Sequence, residues 1–152
     1  MSDGDDVDKV IEQYQRATAE FVKGSPEPYK AVFSHREDVT LAKPFFPPVR
    51  RWRGVAETLE LTAARLRDGE LVGSEIISKY VTPALAYAVS LVRERARVGG
   101  SEDIIPIALR TTMILGPEDG LEGSASARRP HNHASVSRVG DTGVDLPLKR
   151  TA

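Results

Sequence analysis

No cysteine occurs in the 152 residues. That excludes disulfides, thiolate nucleophiles and thiolate metal sites together, and it fits a reducing compartment. Aromatic residues are scarce, at 6% of the chain with one tryptophan, and none lies beyond Tyr87. The C-terminal part is thereby short of the bulky side chains that dominate cores. Charge of one sign is also lacking. A formal net charge of -1 gives no global field to draw nucleic acid or an anionic membrane. No stretch approaches the roughly 18 consecutive apolar residues of a membrane span. The opening residues, Met1 to Asp6, are acidic and lack the basic start and apolar run of a secretory signal. The expectation is a cytoplasmic protein with no nucleic-acid or membrane partner.

What is present is a chain patterned for one core. Its length suits one domain, and 40% hydrophobic with 28% charged residues is ordinary for a globular protein. Val7, Ile11, Tyr14, Ala17 or Thr18, and Phe21 fall at helical spacing and form one apolar stripe. Asp5 or Asp6 can cap that helix, and Gly24 ends it. Pro26 to Phe33 reads as a short second helix with prolines in its opening turn. Short strands are expected at Asp38–Ala42 and at Val49–Arg53, separated by Pro44, Pro47 and Pro48. Gly54 to Arg67 reads as an amphipathic helix, closed by a turn at Asp68-Gly69.

Three longer strands follow, at Leu71–Thr82, Ala84–Val98 and Ile104–Leu115, with a hairpin signal at Val98-Gly-Gly-Ser101. Pro106 suggests that the last of them sits at an edge or carries a bulge. Helices and strands are segregated along the chain, which predicts an α+β fold with helices covering one face of a curved, mainly antiparallel sheet.

The first helix around Glu12-Gln-Tyr-Gln-Arg-Ala17, the stretch Asp38-Val-Thr-Leu-Ala-Lys-Pro-Phe-Phe46, and Pro48-Val-Arg-Arg-Trp-Arg-Gly54 before the long helix carry a family pattern. Together with the three long strands they resemble the NTF2-like superfamily, and within it the SnoaL-like, ketosteroid-isomerase-like proteins. The resemblance implies a cone-shaped α+β barrel over about residues 1–118. It also implies an apolar pocket for a small hydrophobic molecule, homodimers formed through the sheet, and no cofactor. Activities in the superfamily include isomerases, cyclases and hydrolases, and other members are non-catalytic dimerisation or partner-binding modules. The fold alone does not choose among them, so the sequence leaves open whether the chain is an enzyme.

The resemblance makes residues 119–152 anomalous. Similar proteins end in a sixth strand, and the segment from Gly120 to His133 does not read as one. Deleting one base from a permitted back-translation of that segment yields a reading frame close to the family's last strand. We therefore expect a single-base frameshift in place of that strand, with Ala134–Val139 alternating weakly enough to pair there instead.

Candidate site residues follow from the same resemblance. In the ketosteroid isomerases a carboxylate before a proline at the end of the first strand is the base, and here Lys43 precedes Pro44. The second acid aligns, through Pro106-Ile107, with Ala108. Tyr14 alone matches, at the oxyanion tyrosine. Without both acids steroid isomerisation is not expected, since it needs a base for a carbon-bound proton. Against the limonene-epoxide hydrolases the weak catalytic candidates are Asp38 and Arg110, with Glu75 as a further carboxylate; Arg110 and Glu75 equally make a structural ion pair. The pocket wall is expected from Tyr14, Phe33, Phe45, Phe46, Trp52 and Tyr80, against the alternative of plain core packing.

His131 and His133 are too few ligands for a metal site, and none is expected. His35 reads as a capping or surface histidine. Arg93, Arg95 and Arg97 share one strand face, which reads as solvated rather than as a nucleic-acid patch, because no aromatics interleave them.

Overall fold

The computed structural model describes residues 4–44 and 46–118 in full, and the backbone of residue 3 and of residues 127–139. Helix α1 spans Asp3–Phe21, and its stripe of Val7, Ile11, Tyr14, Ala17 and Phe21 is buried throughout. Gly24, at φ 99°, stops it in a conformation that side chains other than glycine rarely adopt. Helix α2, Glu27–Val32, is a short turn with Pro28 in its opening turn, and it buries Tyr29. Strand β1 is Thr40–Ala42 and β2 is Val49–Arg50, and these two pair antiparallel. Helix α3 spans Arg51–Ala63 and packs Val55, Leu59 and Ala63 inward.

Strands β3 (Leu66–Val81), β4 (Ala86–Val98) and β5 (Ile105–Glu118) form the antiparallel meander. Asp68-Gly69 is not the turn ending α3. The helix stops at Ala63, and these two residues form a bulge inside β3, where Asp68 takes φ 52° and the register shifts. Three such shifts along β3, and one between β5 and the last strand, are the devices that curve the sheet. Burial alternates along β4, with Ala86, Ala88, Ser90, Val92, Glu94 and Ala96 turned inward. The inward face of β5 is Ile107, Thr111, Met113 and Leu115, with Leu109 half-buried between them.

A sixth strand, β6 (Ala127–Val139), is present, longer at its start than the Ala134–Val139 stretch that the sequence offers for that place. It pairs antiparallel with β5 over its length and parallel with β1 at Thr40–Ala42, so the sheet order is β2-β1-β6-β5-β4-β3. Ala134 to Val139 does pair, opposite Thr112 to Ile107. Ladder hydrogen bonds are made by the backbone, so a segment with no apolar signature can still close the gap. Pro130 has no N–H to donate, and it falls at the register shift between Ile114 and Leu115, where a missing donor is tolerated.

Pro106 marks no bulge, and among the described residues it falls where β5 is paired on one side alone. It pairs in register with Arg95 at the start of β5, and β6 pairing begins only at Ile107. The two edges, β2 and β3, do not meet, so the sheet is curved and open and the helices rather than further strands complete the cone. Among the described residues no helix is long and apolar enough to cross a membrane.

Candidate functional site

Between the helices and the inner face of the sheet lies a cavity of about 290 Å³. Its walls come from every layer. Phe21 and Tyr29 descend from α1 and α2, and Thr62, Arg65 and Leu66 from the end of α3 into β3. Lys43, Pro44 and Phe46 follow β1, and Glu94 with Val98 on β4, and Ile105, Ile107 and Leu109 on β5, form the floor. This volume lies at the lower end of the range of roughly 300–1,000 Å³ usual for small-molecule pockets, and the mixture of apolar wall and few polar groups is the usual one.

Two of those polar groups, an ammonium and a carboxyl, are ordinarily charged and yet buried. Lys43 is 8% exposed and Glu94 7%. The sequence places them there for different reasons. Lys43 continues β1 one residue past its paired stretch, just before Pro44 removes the next N–H from any ladder. Glu94 sits on the face of β4 opposite to Arg93 and Arg95, and period-two alternation sends it inward between Val92 and Ala96. The Lys43 ammonium lies 4.9 Å from the Phe21 ring centroid and 5.2 Å from that of Tyr29, within cation–π range. Among the described residues neither Lys43 nor Glu94 closes a direct ion pair, so they act on each other through space.

Burial disfavours the charged form of each. It lowers the Lys43 ammonium to about 8, against which the Glu94 charge pulls back. It raises the Glu94 carboxyl, with Lys43 opposing. The two are brought toward one another, so one proton can be exchanged between them more readily than between an ordinary lysine and glutamate.

Behind the cavity lies a hydroxyl network. Thr18 Oγ1 donates to the Tyr14 carbonyl at 2.9 Å and lies 2.7 Å from the Tyr29 hydroxyl. With its own hydrogen committed, Thr18 accepts from Tyr29, and the Tyr29 oxygen in turn accepts from Tyr14. Burial raises both tyrosines well above the usual phenol range, and the Glu94 charge adds to this. Both therefore stay protonated as donors. The rings of Tyr14 and Tyr29 are 4.9 Å apart, and those of Phe21 and Tyr29 4.5 Å, in tilted contact.

The residues expected at the site are dispersed. Phe46 lines the cavity. Tyr14 is buried one layer behind it. Phe33 is fully buried in the core, edge-on to Tyr29 at 6.1 Å, and does not reach the cavity wall. Phe45 lies outside the described residues. Trp52 leaves the wall because it opens α3 on the other side, where it stacks on His35 at 3.7 Å. Tyr80 leaves it because strand alternation turns it to the outer face, 57% exposed and stacked on Tyr87 at 5.8 Å.

Asp38 is exposed and pairs with Arg36 at 3.4 Å. Arg110 is exposed on the outer face opposite Leu91, whose other neighbour is Glu75. One strand separates Arg110 from Glu75, and neither points into the cavity. His35 is exposed, with Nε2 donating to the Lys30 carbonyl at 2.6 Å. Arg95 and Arg97 pair across the outer face with Glu70 and Asp68 at 3.6 and 2.9 Å. The side chains of His131 and His133 lie outside the described residues.

Tyr29, Phe21 and Glu94 were not singled out from the sequence. Glu94 carried a usable signal, because three arginines on one strand face oblige the glutamate between them to face the other way.

No protein-family model and no curated protein matches the sequence. Solved structures do match the fold. The chain is similar to a ketosteroid isomerase-like protein from Erwinia carotovora atroseptica, at TM-score 0.66 and 14% identity, covering 84% of this chain and 90% of that one. It is similar to an NTF2-like superfamily protein from Salmonella enterica, at TM-score 0.66 and 14% identity over 91% and 92% of the two chains. A candidate scytalone dehydratase from Novosphingobium aromaticivorans matches at TM-score 0.64 and 14% identity over 96% and 93%. The chain has the NTF2-like α+β fold, which it shares with isomerase-like and dehydratase-like proteins.

Proposed function

We propose that the chain binds a small hydrophobic molecule in the cavity between the helices and the inner face of the sheet, in the manner expected of SnoaL-like proteins. The observation that supports this most directly is the cavity of about 290 Å³, walled by Phe21, Phe46, Ile107 and Leu109 with Lys43 and Glu94 at its polar side. An apolar wall supplies affinity by excluding water, and a few buried polar groups fix orientation. Lys43 and Glu94 also suit proton transfer to or from such a ligand, which would make the protein an isomerase, cyclase or hydrolase of minor substrates. Asp38 and Arg110 are too exposed to share in that step.

A thermal-shift screen with steroids, polyketide-like aromatics and epoxides tests the reading. A ligand at a hundred times its Kd raises stability by about 2.7 kcal/mol, or roughly 5–10 °C for a chain of this size. Leu109→Trp fills the cavity and abolishes that shift while leaving the unliganded protein folded. A screen in which no apolar compound stabilises the wild type refutes the reading.

A second reading, a non-catalytic homodimerisation module, is favoured by one observation. The outer face of the sheet carries Tyr80 at 57% exposure, beside half-buried Tyr87, Val89 and Leu91, and Ile77, at 59%, is exposed at a bulge of β3. A second copy of the chain would cover them. Light scattering on the wild type and on Tyr80→Arg tests it: a dimer that dissociates in the variant supports the interface, and a wild-type monomer sinks it.

A further inference from the structure

Among the described residues, Lys43 is the only amine in the cavity, and an amine can do more than bind. We propose that Lys43 is a nucleophilic amine that captures a small aldehyde or ketone in the cavity as an imine. The inference rests on the reading of the cavity as a small-molecule site and names the class of molecule that it takes.

Geometry supplies the main support. Nζ stands against two aromatic rings rather than in water, and the side chain is almost fully enclosed. A lysine desolvated in an apolar pocket is the usual form of an imine-forming amine. Charge selects the partner. Glu94 lines the same cavity; ionised, it meets an incoming carboxylate with a like charge, and protonated, it can serve a neutral carbonyl compound as a proton donor. The apolar floor of Ile105, Ile107 and Leu109 suits the carbon skeleton of such a compound.

The titratable groups around Lys43 are Glu94 from β4, Tyr29 from α2, Tyr14 from α1 and, at the cavity wall, the exposed Arg65. With the ammonium lowered to about 8, about a tenth of Lys43 is neutral amine at pH 7, against roughly 0.03% for an ordinary lysine.

The step balances without a further reagent. The amine nitrogen adds to the carbonyl carbon, and the π electron pair moves to oxygen, which takes the proton given up by the nitrogen to leave a neutral carbinolamine. The C–O bond then breaks and its electron pair leaves on oxygen. The departing oxygen takes a proton from the Glu94 carboxyl, and the nitrogen returns one to the carboxylate. Net, one amine and one carbonyl give one imine and one water, with no oxidation or reduction. The raised Glu94 carboxyl is suited to hold the proton that the leaving oxygen needs.

The test is reductive trapping on the full chain. The protein is incubated at pH 7.5 with benzaldehyde and sodium cyanoborohydride, and the adducts are mapped by peptide mass spectrometry. The expected result is a single early adduct at Lys43, forming at least about tenfold faster than at Lys23, which is 56% exposed. That preference vanishes in urea. Lys43→Arg, which keeps the charge but not the nucleophile, loses the adduct. Adducts spread over Lys9, Lys23 and Lys79 with Lys43 unmodified overturn the proposal. Benzyl alcohol and benzoate, run in parallel by thermal shift, separate the two levels. Stabilisation by the alcohol without a Lys43 adduct keeps the cavity reading and overturns imine capture. Stabilisation by benzoate alone overturns capture in favour of an anion site. No stabilisation and no adduct overturn both.

Discussion

Replacing Lys43 by methionine keeps the length and the contact with Phe21 and Tyr29 but removes the buried charge. In the folded protein the ammonium gives up its proton at about 8, and in the unfolded chain at the ordinary 10.5. Between those values the unfolded chain binds more protons, so stability rises with pH. Holding the charge inside costs about 3 kcal/mol at pH 7, of which about 2 kcal/mol is recovered between pH 8 and pH 10. Glu94 acts in the opposite sense. Its carboxyl is raised, so stability falls as pH climbs past the ordinary 4.5 toward the folded-state value. These two groups thus pull stability in opposite senses, Glu94 on the acid side and Lys43 on the alkaline side. Tyr14 and Tyr29 are held above the ordinary 10.0 and begin to titrate in the unfolded chain first, so the window ends at pH 10. Urea unfolding of wild type and Lys43→Met at pH 8, 9 and 10 is the assay. The variant is the more stable at pH 8, and its advantage shrinks by about 2 kcal/mol by pH 10. A difference between the two proteins that stays constant across those three pH values would refute the reasoning, because it would mean that Lys43 titrates alike folded and unfolded.

Tyr29→Phe removes the hydroxyl that accepts from Tyr14 and donates to Thr18. Two buried groups lose a partner, and unfolding experiments should show a loss of about 1–3 kcal/mol, whereas an unchanged midpoint would deny the network. Gly69→Ala places a Cβ 2.0 Å from the Val22 carbonyl oxygen, where backbone would have to move. A loss of about 3 kcal/mol, or roughly 10 °C in Tm, is expected by calorimetry, and a neutral result would mean that β3 and the end of α1 are not so closely apposed. The frameshift reading of residues 119–152 predicts that the coding DNA of close relatives lacks one base near the codon for Gly120 and reads on into a tryptophan-bearing last strand; the same frame preserved in those relatives refutes it.

The elements were legible where one physical rule governed them. The stripe from Val7 to Phe21 needs only helical spacing to be read, and the three long strands need only alternation and the glycines of the turn at Gly99-Gly100. Boundaries failed where a local signal had two meanings. Asp68-Gly69 spells a turn, yet the same left-handed residue serves a bulge, and only the nearness of Val22 decides between them. The site was less legible. Aromatic content picked out Tyr80 and Trp52, but which face a residue takes depends on sheet register and on helix packing, which composition does not carry. Lys43 stood in view beside Pro44, but whether it turns in or out is fixed by what lies across the sheet. Of the sixth strand only Ala134–Val139 was legible; Ala127–His133 was not, because backbone pairing asks almost nothing of side chains, and side chains are all that a pattern can weigh.

Strand β6 separates β1 from the rest of the sheet. Beyond its short pairing with β2, β1 therefore joins the rest of the sheet only through a segment far downstream in the chain. Joining Leu41 to His133 closes a loop that spans most of the chain, and such non-local pairing is what makes folding slow. Everything that hangs from β1 shares that delay. Lys43, one residue beyond the paired stretch, is carried to its aromatic neighbours by a segment from the far end of the sequence. Translation must thus pass β6 before that pairing can form.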